Sequence, residues 1–96
     1  DDDGWTPLMR AASKGNDAAT QLLVERKANT ESTDRNGWTA LMWAANRGHL
    51  DSLKILISAG ANVNAEAKDG RTAIALARNE EHTEILDALK VAGAKQ

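Results

Sequence analysis

Two histidines, His49 and His82, stand 33 residues apart and are the only ones in the chain. A pair of imidazoles could share a zinc ion, but cysteine is absent and no further ligand is evident at a suitable spacing, so a metal site is not expected. The same absence removes disulfides and thiol nucleophiles. Asp34-x-Asn36-Gly37 has the opening residues of a calcium loop. It lacks the downstream bidentate Glu that completes one, and turn chemistry explains it better. The run Asp1-Asp2-Asp3 could meet a basic partner, yet reads first as a solvated end. No Ser/His/Asp set, carboxylate pair or Gly-rich phosphate loop stands out, so neither catalysis nor a cofactor is expected. What remains is contact chemistry. Trp5, Trp38 and Trp43 are the only aromatic side chains, and Trp buries a large area at little rotamer cost.

The elements that must position these residues have a core without Phe or Tyr, built from Leu, Ile, Val and Ala. Small aliphatic side chains suit closely packed helices better than a wide sandwich. With 42% hydrophobic and 27% charged residues the 96-residue chain has the composition of one folded domain. A net charge of −2 and a pI near 5.6 offer phosphate no long-range attraction, so nucleic acid is not the expected partner, although a local patch is compatible with both values. The longest apolar runs fall far short of the about 20 residues a membrane helix needs, and no membrane partner is expected. Absence of cysteine fits an intracellular setting, cytoplasmic or nuclear. The start on Asp1, without Met and without a signal-peptide pattern, suits a domain cut from a longer chain.

Self-similarity is the strongest signal. Gly-x-Thr-x-Leu/Ile occurs at Gly4-Thr6-Leu8, Gly37-Thr39-Leu41 and Gly70-Thr72-Ile74, with a spacing of 33 each time. The same step maps Ala11 to Ala44 to Ala77, Leu23 to Leu56 to Leu89 and Ala28 to Ala61 to Ala94. The register divides residues 1–96 into three units, 1–33, 34–66 and 67–96, of 33, 33 and 30 residues, the last cap-like. Each unit carries a turn dipeptide (Asp3-Gly4, Asn36-Gly37, Asp69-Gly70), then a Thr able to cap a helix, with Pro7 fitting the first helical position. Gly15 and Gly48 close the first helices in left-handed geometry. A second helix follows, marked by Leu50, Leu53, Leu56 and Ile57 and by Ile85, Leu86 and Leu89, ending at Gly60 and Gly93. Helices this short are marginal alone, so each pair must stack on the next.

The stretches "DGWTPLMRAASKGN", "NGWTALMWAANRGHLDSLKILISAGANVNA" and "DGRTAIALARNEEHTEILDALKVAGAK" resemble ankyrin repeats over essentially the whole chain. The resemblance implies an all-α repeat solenoid, an L-shaped stack of helix-turn-helix units joined by β-hairpin-like fingers. His is common at second-helix starts in this family, which accounts for His49 and His82. Departures are informative. Met9, Met42 and Ala75 stand where the family usually has His, removing the hydrogen bonds that residue makes. Lys27 stands where later units have Gly60 and Gly93, implying a strained non-Gly residue or another route out of the helix. Asp17 and Thr20 replace Leu50 and Leu53, as a wet outer face on a terminal repeat would; Arg78 and Lys90 suggest the same at the other end, where the array is expected to finish.

Ankyrin-like domains bind proteins or peptides through finger tips and the concave surface of the first helices. The positions implied in unit one are Asp2, Asp3, Trp5, Ser13 and Lys14. Unit two contributes Thr33, Arg35, Asn36, Trp38, Asn46 and Arg47, and unit three Glu66, Lys68, Asp69, Arg71, Asn79 and Glu80. Trp5, Trp38 and Arg71 share one register position and should form a column, with neighbours roughly 10 Å apart; contact with a partner there stands against simple shielding of the finger base. Trp43 is expected to pack between units. Asn64 in "GANVNA" resembles an asparagine that hydroxylases modify in this family, although Asn62 stands where an acidic residue is preferred. The expected function is therefore a non-enzymatic protein-interaction module, monomeric with self-association open. The alternatives are a structural unit that packs on a neighbouring domain or self-associates, and a regulatory subunit that masks an enzyme.

Overall fold

Among the described residues six helices form where the 33-residue register places them: α1 Pro7–Lys14, α2 Asp17–Glu25, α3 Ala40–Arg47, α4 Leu50–Ser58, α5 Ala73–Asn79 and α6 Thr83–Val91. The structure, a computed structural model, describes residues 4–95. Each first helix is capped by its threonine: Thr6, Thr39 and Thr72 accept from the amides of Met9, Met42 and Ala75. In unit one Met9 Sδ also accepts the Thr6 amide at 3.5 Å, so sulfur completes the reciprocal cap that the loss of a polar residue seemed to remove.

The helices stack in two layers, α1 on α3 on α5 and α2 on α4, with α4 and α6 less closely engaged. The buried rows follow the register. Leu8, Leu41 and Ile74 are each 2% exposed or less, and Leu53, Leu56 and Leu89 are fully enclosed. Ala12, Ala44, Ala45 and Ala77 let adjacent helices approach closely. Between α2 and α4 one seam is polar. Thr20 is fully buried, its hydroxyl donating to the Asn16 carbonyl at 2.9 Å and lying 3.3 Å from Ser52 Oγ, while Ser52 donates to Asp17 at 2.6 Å. This corrects the reading of Asp17 and Thr20 as a wet outer face. The position faces the neighbouring helix, and the polar groups are tolerated because they satisfy one another.

The fingers are turns without a strand among the described residues. Asp34 N–H donates to the Trp38 carbonyl and Ala67 N–H to that of Arg71, each with one turn bond beside it (Gly37 N–H to Asp34 O, Gly70 N–H to Ala67 O), and Lys68 N–H joins the third finger to the second through Asn36 O. Single bonds do not build a ladder. Lys27 leaves α2 at φ 68°, so the chain adopts the strained left-handed route, and Glu81 does the same at φ 60° where units one and two have Gly15 and Gly48.

Candidate functional site

Asp34 organises the second finger. It is 5% exposed, and its Oδ1 accepts the amides of Asn36 at 2.9 Å and Trp38 at 3.0 Å. Its Oδ2 accepts the indole N–H of Trp43 at 3.0 Å. A carboxylate that gathers two finger amides and a helical side chain fixes the finger to α3. Residue types in pattern gave Asp34 a turn role only; its grip on Trp43 was missed. A signal existed, because unit three has Ala67 and Leu76 at the two equivalent positions, so acceptor and donor disappear together.

Trp43 thereby sits between the other two tryptophans. Its ring centroid is 4.5 Å from that of Trp5 at an interplanar angle of 44°, and 4.5 Å from that of Trp38 at 47°. Each indole also has a guanidinium over it: Arg10 Cζ lies 5.9 Å from the Trp5 centroid, Arg47 5.4 Å from Trp43 and Arg71 5.5 Å from Trp38. The structure thus brings Trp5, Trp38, Arg47 and Arg71 together and adds Trp43 and Arg10. Arg71 is further held by Asp69, donating to its carboxylate at 2.8 Å. The Arg71 amide first, and its guanidinium after it, hold the Asp69 carboxyl below its usual range against an opposing desolvation.

The remaining positions are less concentrated. Lys14, Thr33, Arg35, Asn36, Glu66, Lys68, Asn79 and Glu80 are exposed, and Asn46 is half-buried. Asn79 donates to its neighbour Glu80 at 3.3 Å. Ser13 is buried and offers no free surface. Asp2 and Asp3 lie outside the described residues. Asn64 uses its side chain as an inter-unit clasp, with Oδ1 accepting the Lys95 amide at 2.7 Å and Nδ2 donating to Gly93 O at 3.4 Å. Glu31, one register earlier, accepts the Asn62 amide at 3.1 Å in the same way.

The histidines pack on turns. The His82 ring lies against Gly48, where an added Cβ would come within 2.8 Å of Cε1, and its Nε2–H donates to Asn46 O at 3.2 Å. His49 covers Gly15 likewise. Among the described residues no group of three His, Asp or Glu side chains could hold a metal ion. No described helix is long and apolar enough to cross a membrane.

Three register-related helix pairs, with one aromatic row along their fingers and first helices, define an all-helical repeat solenoid. Residues 1–67 match the family described as ankyrin repeats (3 copies), and the chain belongs to that family. The third helix pair lies beyond the matched residues and is tied to the others by the register. No curated protein matches the chain. Ankyrin repeats are generally protein-protein interaction modules and typically non-enzymatic.

Proposed function

We propose that residues 1–96 form one interaction domain that takes a protein or peptide partner across its finger tips and first-helix face, centred on Trp5, Trp43 and Trp38. The observation that carries this reading is the row itself. Three indoles, Trp43 in contact with both Trp5 and Trp38, remain only half-buried, although the chain has no other aromatic side chain with which to build its core. A rigid aromatic surface flanked by arginines has the composition of interface hot spots. Lys14, Arg35, Asn46, Lys68, Asn79 and Glu80 would then supply the polar rim. The test is affinity capture from a cell extract with the intact domain and with the Trp5→Ala/Trp38→Ala variant. Helical circular dichroism should persist and capture should vanish; unchanged capture would sink the proposal.

A second reading, self-association, draws on the outer layer. Ala88 stands where earlier units have Leu22 and Ile55, and a groove of about 600 Å³ opens between α4 and α6, with Leu50 and Ile57 in its wall and Val91 89% exposed at its rim. Sedimentation at several concentrations separates the two readings. A concentration-independent monomer removes the second.

A further inference from the structure

The net charge of −2 conceals a strong division between the two helix layers. The first helices α1, α3 and α5 carry Arg10, Lys14, Arg47 and Arg78 and no carboxylate. The second helices α2, α4 and α6 carry Asp17, Glu25, Asp51, Glu84 and Asp87 against Lys54 and Lys90. The charges within the first helices, which include Trp43, are therefore all cationic and those of the second helices mainly anionic, while the fingers that carry Trp5 and Trp38 are mixed, with Asp34, Glu66 and Asp69 beside Arg35, Lys68 and Arg71. Three of the four cations, Lys14, Arg47 and Arg78, sit in last turns, where the helix dipole favours them. That accounts for their sign. It does not account for Arg10 in the middle of α1, nor for a guanidinium over every indole.

We propose that the partner is an acidic peptide segment, its carboxylates held by Lys14 and Arg47 and its apolar side chains lying on Trp5, Trp43 and Trp38. This rests on the interaction reading above and names the chemistry of what binds. A guanidinium stacked on an indole keeps its N–H edge directed outward, and that edge forks two hydrogen bonds to a carboxylate. No carboxylate among the described residues pairs with Lys14 or Arg47, which leaves both available. A cationic ligand faces the reverse situation. The ring faces that would attract it already carry Arg10, Arg47 and Arg71, and on the first helices it would meet only like charge.

The test uses the full chain and a fluorescently labelled probe made of three Glu-Glu-Pro-Leu units, read by anisotropy and calorimetry. Two comparison probes are the same peptide with Lys for every Glu, and an oligothymidylate of similar length. The acidic probe should bind saturably and more weakly as salt is raised. Lys14→Glu/Arg47→Glu should lower its affinity at least about tenfold, whereas Lys54→Glu on α4 should leave it unchanged. If the double reversal reduces helical circular dichroism, Arg47→Gln alone serves, with a smaller loss in the same direction. Equal or tighter binding of the lysine probe, preference for oligothymidylate, or no binding of the acidic probe overturns the inference. In any of these cases, extract capture that still depends on Trp5 and Trp38 leaves the interaction reading standing. Loss of that dependence removes both.

Discussion

Asp34 and Trp43 make a coupled pair whose energy can be measured against a natural reference inside the same chain. Asp34→Ala removes three accepted hydrogen bonds and leaves the Trp43 indole N–H without its partner. At about 1–3 kcal/mol for the partly buried indole N–H left without its acceptor, plus the two finger amides that can turn to water, the loss should be about 3 kcal/mol. Trp43→Leu removes an indole packed between two others and orphans Asp34 Oδ2, and should cost a similar amount, about 3 kcal/mol. The double variant reproduces what unit three already has, Ala67 with Leu76, and leaves neither an indole N–H nor a carboxylate oxygen orphaned, the two finger amides turning to water as in the single Asp34 variant. It should therefore cost about 2 kcal/mol less than the two single losses together. Each variant should still fold, since a domain of this size has roughly 5–14 kcal/mol of stability. Urea titrations followed by helical circular dichroism give the three differences. Losses that add to within about 0.5 kcal/mol would show that Asp34 and Trp43 act independently, and the account of the finger's anchorage would fail.

Two further perturbations follow from the turns. Gly48→Ala should destabilise by at least about 1 kcal/mol more than Gly60→Ala, because both have positive φ but only the first would drive a Cβ into the His82 ring; equal losses in denaturant titrations would deny that packing. Lys27→Gly should stabilise the protein by about 0.5–1 kcal/mol by relieving the strain at φ 68°, while Lys27→Ala should not; a lower thermal midpoint for the glycine variant would contradict this.

Much of the fold was legible because its signals are local and repeated. Thr6, Thr39 and Thr72 cap helices through their own side chains, and a residue such as Leu41 is buried because its register partners Leu8 and Ile74 stack with it. The errors concern directions that register does not encode. Thr20 replaces a leucine, and the substitution shows a polar group without showing that Ser52 and Asn16 wait to receive it. Trp5, Trp38 and Arg71 share a register position, so a column was legible. That Trp43 packs between units was legible too; that its partners there are the two other indoles was not, since that depends on how far a large ring on α3 reaches back across the finger. Lys27 was legible as an exception, because the position demands left-handed backbone whichever residue occupies it.

The tryptophan row has an optical consequence. With no tyrosine or phenylalanine in the chain, every near-ultraviolet transition belongs to Trp5, Trp43 and Trp38. Rings 4.5 Å apart and tilted by 44° and 47° do not absorb as isolated chromophores; their excitations couple, and the twist from one ring to the next gives the coupled states rotational strength. The domain thus carries a chiral antenna at one face and none elsewhere. A change of one indole's orientation rewrites that spectrum, while motions of the outer helices leave it dark.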